Sequence, residues 1–368
     1  MHEAAGSIAA PISHILHIVA VMDSAYQAPD LPYASETNAP SAPAREIGIV
    51  VIGRNEGERL QRCLESVRAR AIPTVYVDSG SSDGSVTTAT AMGAVVVDLD
   101  MRMPFTAARA RNAGFERLRE LAPDLCYVQF VDGDCELIVG WLDSAITFLD
   151  QHAEVGVVCG RLRERHPERS VYNLLCDVEW DRPTGEADAS GGIAMLRASM
   201  FTALGGFRED LISCEEYELC LRARQNGWKV WRLGDPMAWH DAAMFRFGQW
   251  WTRSKRTGFG QAQSFALQRS AKERHRSAQL LRPWFWAALV PLVILVAGVA
   301  WGPVALALLA VYPLQVLRTM VSIPGDLRTR LTRACFLTLG KFPELLGQLQ
   351  FRVGRRTDGI AGTFDYKS

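Results

Sequence analysis

The chain has 368 residues, and 48% of them are hydrophobic, which is enough to bury the cores of about two domains. Forty Lys and Arg residues balance 40 Asp and Glu residues, so the overall charge gives no indication of a nucleic-acid-binding protein. The eight cysteines include no C-x-x-C pair and no Cys/His cluster, which disfavours a zinc site and a disulfide scaffold and favours a reducing compartment.

Residues 1–44 combine an apolar patch at 8–22 with a stretch rich in Ala, Pro and Ser. Two histidines and a proline interrupt the patch, and no Lys or Arg precedes it. It is too short for a membrane span and lacks the basic start of a signal peptide. We expect 1–44 to be a mostly disordered N-terminal extension.

From residue 46 onward, apolar runs alternate with amphipathic segments. The strands of a parallel sheet are buried on both faces and are therefore apolar throughout. The pattern predicts an α/β fold, in which helices cover both faces of a mostly parallel sheet. The apolar runs lie at 47–53, 74–80, 94–100 and 125–134, and the helical segments between them at 54–70, 84–92 and 105–121.

Polar residues follow three of these strands, at 54–56, 78–84 and 132–134. Ligands of such sheets bind at the carboxyl ends of the strands, so these loops are expected to converge on one rim. No G-x-G-x-x-G follows the first strand and no P-loop motif occurs, which disfavours a dinucleotide fold and a P-loop NTPase. Taken alone, Asp132 and Asp134 fit either a polar turn or a pair of metal-binding carboxylates.

The C-terminal third indicates a membrane. Residues 246–282 carry nine basic residues and one acid, as in a basic amphipathic segment at an anionic membrane surface. No charge occurs at 283–317, whereas one span needs about 20 apolar residues, and W-G-P at 301–303 supplies a turn. We expect a transmembrane hairpin over 283–323 with both ends in the cytoplasm, and an interfacial helix and tail over 324–368. One long tilted span and a buried helix of a soluble core are the alternatives.

The ordered motifs "VVIGRNEGERLQRCLESV", "VDSGSSDGS", "ARARNAGFE" and "FVDGDCEL" resemble the nucleotide-sugar half of family-2 glycosyltransferases of the GT-A fold. "LISCEEYELCLRARQNGWKVW" followed by "MAWHD" resembles their acceptor half. The resemblance implies a GT-A domain over 45–245, with a nucleotide-sugar half at 46–135 and an acceptor half at 136–245. Together with the apolar C-terminal third, it implies the bacterial membrane-associated type.

The resemblance also implies a cation site. Asp134 is expected to bind the metal directly and Asp132 to contact the ribose or the metal, while His240 matches a family histidine near the diphosphate or metal. Hard oxygen ligands suit Mg²⁺ or Mn²⁺, which would stabilise the leaving diphosphate as a Lewis acid.

Four residues match family positions around the nucleotide. Asp78 matches the aspartate that accepts hydrogen bonds from the base, and Asn55 and Glu56 match the loop along the nucleoside. Helix capping is the alternative for Asn55 and Glu56. Arg109 is expected to reach the nucleotide, whereas Arg111 is expected to point elsewhere, as a solvated charge.

In the acceptor half, the resemblance places the general base at Glu216, although the usual Glu-Asp pair is Glu215-Glu216 here and leaves the choice between them open. Gly191 and Gly192 match a stretch where the acceptor approaches the backbone closely. Trp180 fits either stacking on a sugar or burial.

These features predict an inverting glycosyltransferase at the cytoplasmic membrane, with its catalytic domain in the cytoplasm. Its donor would be a UDP-, GDP- or dTDP-sugar, and its acceptor a membrane-held, lipid-linked saccharide, in polysaccharide or glycolipid synthesis. A sugar nucleotidyltransferase is disfavoured because no Gly- and Arg-rich loop follows the first strand. A non-catalytic membrane scaffold with the same fold is the second alternative.

Overall fold

The structure, a computed structural model, describes residues 46–68, 72–267 and 280–354. The predicted N-terminal extension at 1–44 lies outside these ranges, as do 268–279 of the basic segment and 355–368 of the tail. The described residues belong to one compact unit, Arg45–Ser368.

Four parallel strands form the first half of the sheet, in the order β3-β2-β1-β4. Successive side chains of a strand point to opposite faces, and Ile49, Val50, Val51 and Ile52 are all buried, so both faces of this half are covered. The predicted parallel sheet is confirmed here. The strands are β1 (Ile47–Gly53), β2 (Thr74–Asp78), β3 (Val95–Asp98) and β4 (Tyr127–Asp132).

The helices between these strands bury the apolar side chains that recur at helical spacing. In α1 (Glu58–Arg68) these are Leu60, Cys63, Leu64 and Val67, and α2 (Ser85–Ala91) is a short helix before β3. In α3 (Ala107–Leu121), Thr106 caps the first turn by accepting a hydrogen bond from the Arg109 amide. A Cβ at Gly114 would lie 2.4 Å from the Val50 side chain, so α3 lies against β1 more closely than any larger residue allows.

The second half of the sheet is mixed. β8 runs antiparallel to β4 and β6, β5 runs antiparallel to β9, and β6 and β9 are parallel. The whole order is β3-β2-β1-β4-β8-β6-β9-β5, with β7 paired to β9, so the sheet is less parallel than we expected. These strands are β5 (Cys135–Leu137), β6 (Val155–Glu164), β7 (Gly185–Glu186), β8 (Ala194–Arg197) and β9 (Lys229–His240).

Four helices and one 3₁₀ turn connect these strands, and two of the helices, α5 and α7, carry candidate site residues near their ends. The helices are α4 (Trp141–Gln151), α5 (Val171–Trp180), α6 (Ala198–Ala203) and α7 (Glu215–Gln225), and the turn is Pro167–Arg169.

A C-terminal helical layer follows, and two of its helices make close backbone contact. In α8 (Phe247–Leu267), a Cβ at Gly258 would lie 2.1 Å from the Glu344 carbonyl oxygen. In α12 (Lys341–Gly354), a Cβ at Gly347 would lie 2.0 Å from the Lys255 carbonyl oxygen. The two glycines therefore allow α8 and α12 to touch through their backbones.

Among the described residues, one helical segment, Leu280–Val321, is long and apolar enough to cross a membrane. Gly302 has a φ of +67° and interrupts it between α9 (Val290–Trp301) and a 3₁₀ stretch that leads into α10 (Val311–Val321). The Tyr312 hydroxyl donates a hydrogen bond of 2.8 Å to the Trp286 carbonyl, 26 residues away. A straight helix would separate them by about 39 Å, so the chain reverses near Gly302.

The last helices join this apolar segment to the α/β domain. Phe336 of α11 (Leu327–Leu339) makes edge-to-face contacts with Trp250 of α8, at 4.9 Å between ring centroids, and with Tyr172 of α5, at 5.7 Å. The apolar segment is thereby held on the side of the domain that carries α5.

We predict that Gly258→Ala lowers the free energy of unfolding by about 1–3 kcal/mol, because the new methyl group meets a backbone carbonyl that cannot yield by rotating a side chain. Gly248→Ala is the matched control in the same helix, where a Cβ meets nothing within 4 Å. It should leave stability unchanged or raise it by up to about 1 kcal/mol through helix propensity. Thermal unfolding in detergent measures both, and equal effects would contradict the close contact.

Candidate active site

The ends of β4 and β9 bring two predicted metal-binding residues together. β5 pairs with β9 so that Cys135 lies opposite His240, which places the histidine beside Asp134. His240 Nε2 is 3.7 Å from Asp134 Oδ1, and the Asp241 amide donates a hydrogen bond to the Asp134 carbonyl. Residues more than 100 positions apart therefore form one group because of strand register.

These residues fit a divalent cation. The Asp134 carboxylate, the Cys135 thiol and the His240 imidazole offer ligand atoms that all lie within 4.8 Å of one another. Burial and the negative charge of Asp134 raise the pKa of Cys135 well above its usual range, so its Sγ remains a thiol that donates to Asp134 Oδ1. The remaining metal ligands are the Asp134 carboxylate oxygen and the His240 imidazole nitrogen, a pair that suits Mn²⁺ and also allows Mg²⁺.

A buried carboxylate lies behind the histidine. Glu164 Oε2 lies 3.6 Å from His240 Nδ1, and the carboxyl group is itself fixed by the Ala242 amide and the Asn173 side chain. Burial lowers the pKa of His240, but Asp134 and Glu164 outweigh it, so the pKa is raised. This carboxylate–histidine arrangement is typical of metal-binding histidines.

Arg111 was predicted to be a solvated charge, and this prediction is wrong. Its side chain is only 3% exposed, and it donates hydrogen bonds of 2.7 Å to Glu215 and 2.9 Å to Asp132. Burial opposes its charge, but the neighbouring carboxylates outweigh this effect and raise its pKa. Helical spacing could have revealed it, because Arg111 shares a face with Gly114 and Leu118, both buried on the sheet.

The two glutamates at the start of α7 differ in their surroundings. Glu215 is 4% exposed, and its carboxylate is taken up by Arg111. Burial and the charge of Glu215 raise the pKa of Glu216 to about 7, against an opposing effect of Arg111. Of the two, Glu216 is thus the group suited to exchange a proton near neutral pH.

Glu216 and Asp132 face the same bare stretch of backbone. A Cβ at Gly192 would lie 2.7 Å from Arg111 Nη2, 3.2 Å from Asp132 Oδ2 and 3.3 Å from Glu216 Oε1. The absence of a side chain at Gly192 therefore allows the guanidinium and both carboxylates to lie against the backbone. The neighbouring Gly191 has a φ of +88° with open space around it, which favours glycine there.

The loops after β1 and β2 are tied to each other. The Asn55 side chain accepts a hydrogen bond from the Ser82 amide, and its backbone amide donates to Ser81 Oγ. Asp78 accepts from the Tyr76 hydroxyl and from the amides of Gly80 and Ser81. The structure therefore contradicts the alternative in which Asn55 caps α1, because the Asn55 side chain bonds to the loop after β2.

Glu56 links the first loop to the aspartate pair. Its buried carboxylate forms a 2.8 Å ion pair with Arg59, and its Cγ would lie 3.1 Å from a Cβ at Gly133. The glycine between Asp132 and Asp134 therefore makes room for Glu56.

The remaining predicted residues have other neighbours. Arg109 donates to the carbonyls of Asp100, Met103 and Pro104 and so fixes the loop after β3. Trp180 packs edge-to-face on His240, with ring centroids 4.6 Å apart.

A polar cleft of about 420 Å³ beside Asp241 was not foreseen from the sequence. It lies between the start of α1 and the turn after β6. Its lining residues are Glu56, Glu58, Arg59, Arg62, Arg165, His166, Arg169 and Asp241.

The mixed sheet and the helices that cover it have the GT-A fold. Residues 48–205 match the family described as Glycosyl transferase family 2, in agreement with the resemblance of the sequence motifs. Glycosyltransferase AglE of Haloferax volcanii is 23% identical over 241 residues, which are 62% of this chain and 77% of that protein.

Two solved structures resemble the chain. The first is the mannosyltransferase PcManGT from Pyrobaculum calidifontis in complex with GDP-Man and Mn²⁺, with 19% identity and a TM-score of 0.58 over 92% of this chain and 94% of that one. This likeness confirms the predicted fold class. The second, S. aureus TarS, has 16% identity and a TM-score of 0.45, and the match spans 65% of this chain but 43% of TarS.

We predict that Glu216→Gln stabilises the protein above pH 7 by about 1–3 kcal/mol. Because the pKa of Glu216 is raised from 4.5 to about 7, ionisation favours the unfolded chain, and wild-type stability falls as pH rises through this window. The difference between variant and wild type should therefore grow from pH 4.5 to pH 7 and then level off, in thermal or denaturant unfolding.

Glu215→Gln is the matched control one residue away. It removes one of the two carboxylates paired with Arg111, so it should destabilise the protein by about 1–3 kcal/mol at neutral pH. If both variants shift stability in the same direction, the two glutamates do not have the different roles assigned to them.

Proposed function

We propose that the protein is an inverting, metal-dependent glycosyltransferase that uses a nucleotide-sugar donor. The observation that supports this most is that two functional groups lie on either side of the Asp132–Asp134 segment. Asp134 pairs with His240 and suits a cation, and Glu216, with a pKa of about 7, lies with Asp132 and Arg111 beside Gly192. The GDP-Man and Mn²⁺ in the similar PcManGT structure support a nucleoside diphosphate donor and a divalent ion.

Each group has a defined part in the transfer. A cation held by Asp134 and His240 would stabilise the negative charge that develops on the diphosphate. Glu216 accepts the proton of the acceptor hydroxyl, whose oxygen bonds to the anomeric carbon while the bond from that carbon to the diphosphate oxygen breaks. Attack from the side opposite the diphosphate inverts the anomeric configuration.

The nucleoside would lie along the two tied loops. Asn55 and Asp78 shape these loops by side-chain hydrogen bonds, and Glu56 connects them to the aspartate pair. Arg109 holds the loop after β3, where Met101 approaches Gly80. UDP, GDP and dTDP all fit the role of the donor nucleotide.

We propose further that the acceptor is a lipid-linked saccharide held at the membrane. Exposed apolar side chains dominate Leu280–Val321, and α11 joins this segment to α5, the helix that presents Trp180 beside His240. The acceptor would then approach from the α5 side, near Gly191 and Gly192. A purified enzyme that glycosylates soluble acceptors alone would contradict this assignment.

We predict that Asp134→Asn abolishes Mn²⁺ binding, measured by electron paramagnetic resonance, and lowers nucleotide release from the preferred donor at least about 100-fold. Glu216→Gln should keep Mn²⁺ and donor binding but lower transfer by about 10²–10⁴-fold. The assay screens UDP-, GDP- and dTDP-sugars with wild type and both variants.

Two outcomes would favour the rival functions. A scaffold would release no nucleotide from any donor and would be insensitive to Asp134→Asn. A nucleotidyltransferase would instead release pyrophosphate from a nucleoside triphosphate and a sugar 1-phosphate.

We predict that the apolar segment is a hairpin that crosses the membrane with both ends in the cytoplasm. Leu281 lies at one end and is 63% exposed, and Val304 lies at the turn and is 77% exposed. Single cysteines at these positions, with the exposed Cys335 replaced by Ser, should react with a membrane-impermeant maleimide from opposite faces of vesicles. Labelling of both from one face would show that the hairpin does not cross.

A further inference from the structure

The segment 207–214 leads directly into the helix that carries Glu216. Its last residue, Cys214, has a φ of +67°, which a residue with a side chain adopts at a cost and which the surrounding structure must maintain. Glu216 follows two positions later, in the first turn of α7. The placement of its carboxylate therefore depends on how firmly this loop is held.

Helix α3, in the nucleotide-sugar half, holds the first part of the loop. Asn112 of α3 accepts a hydrogen bond from the Phe207 amide and donates to the Phe207 carbonyl. Thr106, at the start of the same helix, donates to the Glu209 carbonyl at 2.9 Å. Within the loop, the Leu211 amide donates to the Arg208 carbonyl, whereas the Asp210 carbonyl and the Ile212 amide have a partner outside this half of the domain.

Gln263 of α8 holds the middle of the loop, from more than 50 residues away in the chain. Its Oε1 accepts a hydrogen bond of 3.2 Å from the Ile212 amide, and its Nε2 donates one of 2.6 Å to the Asp210 carbonyl. The side chain is 5% exposed. One buried amide thus satisfies a donor and an acceptor of the loop backbone, which would otherwise lose their partners.

The same helix presses against the end of the loop. A Cβ at Gly260 would lie 1.9 Å from Ser213 Oγ, and that hydroxyl donates a hydrogen bond of 3.2 Å to the Arg256 carbonyl. On its other side α8 touches α12 through Gly258. The loop before the base is therefore in direct contact with the C-terminal helical layer.

We propose that Gln263 is a positioning residue for the general base: by fixing the backbone at 210–212, it sets the orientation of Glu216 towards the acceptor hydroxyl. The inference rests on the proposed role of Glu216. It assigns a function in catalysis to the helical layer, because the packing of α8 against α12 determines where Gln263 lies. A displacement of about 1 Å can cost as much as about 100-fold in rate.

The test uses the full-length protein in detergent or nanodiscs. Gln263→Met keeps the volume of the side chain but removes both hydrogen bonds, so kcat should fall about 10–100-fold while KM for the donor stays within about twofold. Gln261→Met is the matched control, since Gln261 lies on the same helix and its Oε1 has no hydrogen-bond partner among the described residues. It should leave both constants unchanged.

Hydrogen exchange separates local from global effects. In Gln263→Met, faster exchange should be confined to 207–216, with donor binding intact. If this variant does not fold, Gln263→Glu takes its place, because it keeps an acceptor for the Ile212 amide, and a smaller fall in kcat is expected. Parallel changes in kcat and KM, or an unchanged kcat, would overturn the proposal.

A double-mutant cycle links the effect to Glu216. If Gln263 acts through the base, Gln263→Met should lower the residual rate of Glu216→Gln by less than about twofold in single-turnover assays. Additive losses would show a general structural role and refute the proposal. If Glu216→Gln alone keeps the wild-type rate, the proposed base is wrong, and this result is distinct from a failure of Gln263.

Discussion

The buried guanidinium of Arg111 is the interaction on which the site depends. A charge with almost no access to water must be matched by carboxylates at short distance, and here one comes from each half of the domain, Asp132 and Glu215. Both partners are thereby fixed in position and charge. Because Glu215 is committed to Arg111, the next residue, Glu216, is the one left with a raised pKa beside Asp132 and Gly192.

The register of the sheet brings the other candidate site residues together. The parallel strands deliver Asp78 and Asp132 to one edge, and the antiparallel pairing of β5 with β9 returns the chain so that His240 meets Asp134. Glu164, at the end of the neighbouring β6, then lies behind the imidazole. The pairing of strands that are distant in sequence therefore brings Asp134, His240 and Glu164 together.

Much of the first half could be predicted from the sequence, because strands that are apolar throughout and amphipathic helices leave few alternatives to a parallel sheet. The short strands of the second half carry no such signal, and their antiparallel partners had to be seen in the structure. The burial of Arg111 was not predicted, because its charge was considered without its position on the helix face that packs against the sheet. Gln263 could not be found, since contacts with a loop 51 and 53 residues away leave no local pattern.

The reversal at Gly302 bears on where the candidate active site would lie relative to a membrane. At 1.5 Å per residue, the leg from Phe285 to Trp301 is about 25 Å long, slightly less than the hydrocarbon core of a typical bilayer, at about 30 Å. If it crosses a bilayer, a hairpin of this length would fix how deep the attached helices lie. Since α11 and α12 connect it to the α/β domain, bilayer thickness would then set the height of the site above the lipid headgroups, and thus which part of a long acceptor could reach it.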